Sequence, residues 1–149
     1  LNNELTDFNI VPDRDGVPTA NRVEAGKRPR SSMAPTLIYG PDGRLRLAIG
    51  AAGGATIPAQ VAKAIIGVLD WGLPAREAIA LPVIFAPGGD VVFVEKGSAQ
   101  EAMIPALVAL GRRRVIAREA SFKANAIERV GDRWRGAADP RSEGAAVAP

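Results

Sequence analysis

One stretch of the sequence, residues 44–58, constrains the fold more than any other. Apolar side chains occupy every second position of 45–49, a period that predicts a β-strand with one buried face. The strand runs directly into the glycine-rich segment 50–54, and Pro58 stands where the first turn of a helix tolerates a residue without an N–H. The sequence therefore predicts a strand, a tight glycine turn and a helix in immediate succession.

The other strand signals also come in pairs. Residues 36–39 precede a Gly-Pro-Asp-Gly turn, which predicts a hairpin with the strand at 44–49. A second hairpin is predicted over 83–94, around a Pro-Gly-Gly-Asp turn. Two more strands are predicted at 115–117 and 126–130. This pairing favours antiparallel sheets.

The helical signals are grouped. The helix after Pro58 is expected to end near Gly72, and Pro74 and Pro82 bracket a shorter helix. Pro105 predicts a kink or a late start in the helix that contains it. Because strands are paired and helices grouped, the predicted class is α+β, layered or sandwich-like, rather than alternating β and α units. The apolar stripe of the first helix is predicted to comprise Val61, Ala62, Ile65, Ile66 and Leu69.

The length of 149 residues suits one domain, predicted over 1–149. Within it we expect a loop region at 1–34, a sandwich core at 35–136 and an extended tail at 137–149. The loop region lacks apolar periodicity, so it is either a binding loop or a floppy linker. The first residues read as the interior of a longer protein, and we expect the natural start upstream of Leu1.

Composition excludes several kinds of site. The chain has no His and no Cys, which excludes Ser-His-Asp and Cys-His catalysis within it and removes the commonest transition-metal ligands. No cofactor and no metal are predicted. Lys and Arg outnumber Asp and Glu by 19 to 16, too small an excess to indicate a nucleic-acid partner. No apolar stretch approaches the roughly 20 residues that span a bilayer, so no membrane span is predicted.

The glycine turn could serve chemistry. Gly53 and Gly54 let backbone N–H groups converge, and the following helix N-terminus favours an anion or a developing oxyanion. A plain tight turn is an equally good interpretation of the same residues.

Two polar pairs near the start of the chain are also candidates. The carboxylates of Glu4 and Asp7 could hold a cationic amino group, or could simply be solvated. Ser31 and Ser32 follow a basic run and could receive a carboxylate, or could belong to an ordinary polar loop.

Four sequence blocks, taken together and in order, favour the functional interpretation of these residues over the plain one. They are Asn-Asn-Glu-x-x-Asp-Phe at 2–8, Lys-Arg-Pro-x-Ser-Ser-Met at 27–33, Gly-Ala-Ala-Gly-Gly-Ala-Thr-Ile-Pro at 50–58 and Gly-Ala-Ala-Asp-Pro-Arg-Ser at 136–142. This series resembles the small subunit of the gamma-glutamyltranspeptidases, and its first two blocks are the specific ones. The chain is accordingly expected to be the C-terminal part of such a subunit.

The resemblance implies part of the αββα sandwich of the N-terminal-nucleophile hydrolases. In that family a precursor cleaves itself, and the exposed Thr attacks the gamma-glutamyl amide of glutathione with its own α-amino group as base. The nucleophile is thus expected upstream of Leu1, and this chain alone is expected to be inactive. The implied partners are the large subunit, a gamma-glutamyl substrate, and water or an amino acid as acceptor. The implied location is periplasmic or secreted.

The resemblance also implies roles for residues. Glu4 and Asp7 would hold the α-ammonium group of the substrate, and the serines its α-carboxylate. The backbone N–H groups of Gly53 and Gly54 would form the oxyanion hole. The family usually has Ser-Pro where this chain has Ala51-Ala52, which changes the rigidity of the turn but keeps its donors. The implied substrate-binding set is Asn3, Glu4, Asp7, Ser31 and Ser32.

Two alternatives stay open at this point. One is a non-catalytic fragment that binds glutamate or another carboxylate. The other is a beta-lactam side-chain acylase of the same superfamily, against which Glu4 and Asp7 favour a substrate with a free α-amino group.

Overall fold

A computed structural model describes residues 3–147 and divides the chain into two compact units. Residues up to Ser32 form the first unit, and residues from Met33 onward form the second. Residues 1 and 2, the second of which begins the opening sequence block, and the last two residues of the predicted tail lie outside the described residues. None of the helices within residues 3–147 is long and apolar enough to cross a membrane.

The first unit contains short elements where the sequence predicted loop throughout. One turn of 3-10 helix covers Glu4–Asp7, and strands β1 (Asp13–Arg14) and β2 (Val17–Pro18) form a two-residue hairpin. Asp15 and Gly16 join these strands with positive φ angles of 54° and 76°, the geometry that tight hairpin turns require. None of the residues 3–32 is fully buried.

Seven strands within residues 33–147 form two sheets. They are β3 (Thr36–Tyr39), β4 (Leu45–Ala52), β5 (Ile84–Gly88), β6 (Val91–Glu95), β7 (Arg114–Arg118), β8 (Lys123–Val130) and β9 (Arg133–Ala138). The larger sheet has the order β3-β4-β8-β9 and the smaller has the order β5-β6-β7. Every neighbouring pair in the larger sheet is antiparallel, and the predicted hairpin of the first two strands is confirmed.

The smaller sheet corrects the expectation of antiparallel pairs alone. Strands β5 and β6 form the predicted antiparallel hairpin, but β6 and β7 run parallel, with Val91 opposite Arg114. Helices α3 (Ala99–Ala102) and α4 (Ile104–Ala109) make the crossover that a parallel pair needs. The break between these helices at Met103 confirms the kink that Pro105 predicted.

The core of the second unit lies between the larger sheet and two other helices. Helix α1 (Ile57–Leu69) begins where Pro58 predicted it, and α2 (Ala75–Ala80) packs beside it. A Cβ added to Gly67 would lie 2.7 Å from Cβ of Ala78, so this glycine permits the close approach of the two helices. The buried cluster comprises Leu47, Ile49, Ile57, Val61, Ala64, Val68, Ala75, Ala78, Ile79, Ala124, Ala126 and Ala137.

The predicted apolar stripe of α1 is only partly right. Val61 is buried, but Ile66 and Leu69 keep 41% and 36% of their surface exposed. The helix instead turns Ala64 and Val68 inward, because small residues on that face let α2 pack closely.

The segment after β9 is anchored by charged side chains. Two residues of the predicted tail belong to β9, and the next residue, Asp139, is 1% exposed. The guanidinium of Arg141 bonds both oxygens of that carboxylate at 2.7 and 2.9 Å, and Glu95 at 2.7 Å. Burial disfavours the charged guanidinium, but its bonds to Asp139 and the charges of both carboxylates outweigh this effect and raise the pKa of Arg141. Charge pairing therefore fixes this end of the chain to the core.

Candidate functional site

The acidic pair lies on the 3-10 turn at Glu4–Asp7. The N–H and the hydroxyl of Thr6 both donate to the carbonyl of Asn3, at 3.0 and 2.7 Å, which closes the turn. Glu4 and Asp7 are half-buried, whereas Asn3 is exposed and its side chain does not cap the turn. Asn3 therefore contributes to the turn through its backbone carbonyl.

The structure brings one of the predicted serines to the acidic turn. The hydroxyl of Ser31 donates a hydrogen bond to the carboxylate of Glu4, across a separation of 27 residues. Ser32 follows it and is half-buried. Acceptor and donor groups suited to the two ends of an amino acid thus belong to one compact unit.

Asn21 joins the two segments that carry these side chains. Its Nδ2 donates to the carbonyl of Asp7 at 2.6 Å and to Oδ1 of Asn9 at 3.2 Å. Its Oδ1 accepts from the N–H of Arg30 at 2.8 Å, directly before the serines. Sequence reasoning missed this residue, because an Asn in a polar loop usually bonds its own neighbours and no period marks a partner so far along the chain.

The basic residues before the serines have local partners. Lys27 lies 3.3 Å from the carboxylate of Glu24 and donates to the carbonyl of Ala20 at 2.9 Å. Arg22 pairs with the same carboxylate at 2.8 Å. These ion pairs shape the loop, and they account for part of the basic run without a ligand.

The glycine pair lies in the second unit, between β4 and α1. Gly53 and Gly54 adopt φ angles of 134° and 58°, a region that side chains disfavour. A Cβ on Gly53 would lie 2.7 Å from Oγ1 of Thr56 and 2.9 Å from Nε2 of Gln60, so the site accepts only glycine. Within residues 3–147, the N–H groups of Gly53 and Gly54 donate to no protein acceptor. Both residues are exposed, so these donors can meet a negatively charged oxygen.

A cavity of about 500 Å³ opens beside Gly53. Aromatic rings and charged side chains share its wall, and the guanidinium of Arg118 lies 4.6 Å from the ring centre of Phe93. Such a cavity suits a small molecule with both apolar and charged parts. Its wall includes Phe85, Phe93, Phe122, Glu95, Arg118 and Glu119.

The chain is similar to known proteins along its whole length. The family model for gamma-glutamyltranspeptidase matches residues 1–149. The glutathione hydrolase proenzyme of Escherichia coli (strain K12) is 35% identical over 154 residues, which cover 95% of this chain and 25% of that protein. The glutathione hydrolase proenzyme of Bacillus subtilis (strain 168) is 40% identical over 85 residues, which cover 57% of this chain and 14% of that protein.

A solved structure extends the similarity to the fold. The gamma-glutamyltranspeptidase of Pseudomonas nitroreducens, complexed with L-DON, matches with a TM-score of 0.80 and 27% identity. The match covers all of this chain and 81% of that chain. Against the two curated relatives, by contrast, this chain spans only 14% and 25% of the length.

Proposed function

The chain belongs to the gamma-glutamyltranspeptidase family, and from that premise we propose that it is part of a glutathione hydrolase that hydrolyses and transfers gamma-glutamyl groups. Its α+β fold is part of the N-terminal-nucleophile hydrolase sandwich of those relatives. One observation carries the proposal: the bond from Ser31 to Glu4 joins the two specific blocks of the sequence.

The first unit supplies the grip on the substrate. The carboxylates of Glu4 and Asp7 bind the α-ammonium group, and Ser31 and Ser32 donate to the α-carboxylate. Charge-assisted bonds of this kind contribute about 1.5–3 kcal/mol each, enough to select a free amino acid end. Asn3 belongs to this set through the carbonyl that closes the acidic turn.

The glycine turn stabilises the negative oxygen that forms when the amide carbonyl is attacked. The N–H groups of Gly53 and Gly54 are the donors, and each contributes about 3–4 kcal/mol to the transition state. This contribution is absent in the ground state, so it raises kcat rather than lowering KM.

The nucleophile comes from outside this chain. By resemblance to the family, we place it on the Thr that self-cleavage of the precursor exposes, upstream of residue 1. The large subunit of the same precursor is the partner, water or an amino acid is the acceptor, and the complex works in the periplasm or after secretion.

The test compares two substrates of the full-length protein, gamma-glutamyl-p-nitroanilide and glutaryl-p-nitroanilide. The second lacks the α-amino group, so we expect its kcat/KM to be at least about 100-fold lower, as two lost charge-assisted bonds imply. Equal turnover of the glutaryl amide would identify an acylase instead. Calorimetric binding of glutamate without turnover of either substrate would identify a binding module.

A matched pair of variants tests whether Asp7 selects a substrate with a free α-amino group. Asp7→Asn keeps the size of the side chain and removes its charge, and we expect it to raise KM for the gamma-glutamyl substrate about 10-fold to 100-fold. Asp13→Asn makes the same change at an exposed carboxylate of β1 and should leave KM unchanged. Equal effects of the two variants would contradict the assignment of Asp7.

A further inference from the structure

Gln60 is a polar side chain in the buried face of α1. It is 1% exposed, and the other buried residues of this helix carry no polar side chain. A buried amide is costly unless its donors and acceptor are satisfied, so its partners show what it stabilises.

All of its partners lie at or beside the glycine turn. Nε2 donates to the carbonyl of Ala52 at 3.0 Å and to Oγ1 of Thr56 at 3.0 Å. Oε1 accepts from the N–H of Lys123 at 3.2 Å, at the start of β8. The amide therefore ties the end of β4, the first turn of α1 and the neighbouring strand together.

The first of these bonds sets the direction of one oxyanion donor. The carbonyl of Ala52 and the N–H of Gly53 belong to the same planar peptide group and point in opposite directions. Because Gln60 holds that carbonyl from the buried side, the N–H of Gly53 points away from it.

The second bond sets the other donor through Thr56. The hydroxyl of Thr56 accepts from Gln60 and donates to the carbonyl of Gly53 at 2.9 Å. That carbonyl shares its peptide plane with the N–H of Gly54. One side chain thus supports both peptide planes, directly and through one hydroxyl, while the N–H of Thr56 also donates to the carbonyl of Gly53 at 3.3 Å.

We propose that Gln60 is the positioning residue of the oxyanion hole, and that it keeps the N–H groups of Gly53 and Gly54 aimed at the reacting oxygen. This inference rests on the proposed function and deepens it. Gln60 does not touch the substrate, and a flip of either peptide would replace a donor by a repelling carbonyl.

The test uses the full-length enzyme with Gln60→Leu, which keeps the volume of the side chain and removes its hydrogen bonds. We expect kcat for gamma-glutamyl-p-nitroanilide to fall about 10-fold to 100-fold, as for misplaced catalytic groups, with KM within about 3-fold of the wild type. A boronic acid analogue of glutamate, whose boron bonds the nucleophilic oxygen to give a tetrahedral anionic adduct, should lose affinity by the same factor as kcat. The affinity for glutamate itself should not change.

Val68→Ala is the matched control, because it weakens the buried face of the same helix two turns away from Gln60. It should lower stability and leave kcat unchanged. If both variants lowered kcat in proportion to their loss of stability, Gln60 would have only a structural role and the proposal would fail.

Thr56→Val provides a test that does not depend on the folding of Gln60→Leu. It removes the hydroxyl that links Gln60 to the carbonyl of Gly53 and leaves the bond from Gln60 to Ala52, so we expect a smaller loss of kcat. Combining it with Gln60→Leu should cause no loss beyond the larger single effect. If kcat stayed at the wild-type value in both Thr56→Val and Gln60→Leu, this inference would be overturned and the proposed function would stand. Absence of gamma-glutamyl turnover in the wild type would instead overturn the proposed function, and the inference with it.

Discussion

In residues 3–32, hydrogen bonds of polar side chains set the backbone, whereas a buried amide and a packed helix set it at Gly53 and Gly54. None of the residues 3–32 is fully buried, and Asn21 joins the segment of Asp7 to that of Arg30. The glycine turn rests on Gln60, which is enclosed by the core. The proposed substrate-binding residues therefore depend on a few hydrogen bonds of about 1 kcal/mol each, whereas the proposed oxyanion donors depend on a buried amide in a packed helix.

The largest effect that separates the two regions is expected from Gly53→Ala. The added Cβ would meet Thr56 and Gln60 at 2.7 and 2.9 Å, and a φ of 134° is strained for Ala. We expect kcat of the full-length enzyme to fall about 100-fold to 1,000-fold with little change in KM. Steady-state kinetics on the gamma-glutamyl amide measures both.

Gly50→Ala is the control for that prediction. Gly50 lies in β4, its φ is not positive, and an added Cβ would meet nothing within 4 Å. The kcat of Gly50→Ala should stay near that of the wild type. An equal loss of kcat in both variants would show that Gly53 has no specific role in catalysis.

A smaller effect, on KM instead of kcat, is expected from Asn21→Ala. This change removes the bonds that tie Asp7 and Arg30 together, so we expect KM to rise about 10-fold while kcat changes little. Asn9→Ala removes only the contact at 3.2 Å and should have a minor effect. A fall in kcat without a rise in KM would contradict the division between the two regions.

The last prediction concerns the stability of the second unit rather than catalysis. Burial, followed by the charge of Arg141, lowers the pKa of Lys63 from 10.5 to about 8. Between these values the unfolded chain binds more protons than the folded chain, so this residue makes the free energy of unfolding rise with pH. Urea titrations from about pH 8 to pH 10.5 should show the free energy of unfolding rising more steeply with pH in the wild type than in Lys63→Met. Parallel curves would show that Lys63 is not desolvated.

Much of the second unit could be predicted from the sequence. The hairpins follow from alternation and turn residues, and the start of α1 follows from Pro58. These features are local, so their signals lie within a few residues of one another. The parallel pairing of β6 and β7 could not be predicted in the same way, because local pattern does not record which edge a strand joins.

The side chains that organise the site were the least visible in the sequence. Asn21 reaches Asp7, 14 residues away, and Gln60 reaches Lys123, 63 residues away. Such contacts follow no period, and a Gln inside an apolar helical face looks like an interruption. Family resemblance identified the residues expected to meet the substrate, whereas only the fold identifies the residues that hold them.

The most direct test of the account measures two affinities in the full-length enzyme and in Asp7→Asn and Gly53→Ala. The ligands are glutamate and its boronic acid analogue. On this proposal Asp7 binds the amino acid end of both ligands, so Asp7→Asn should weaken both equally. The glycine turn binds only the tetrahedral adduct, so Gly53→Ala should weaken the boronate about 100-fold while glutamate binds as before. An equal loss of both ligands in Gly53→Ala, or a loss of the boronate alone in Asp7→Asn, would contradict the account.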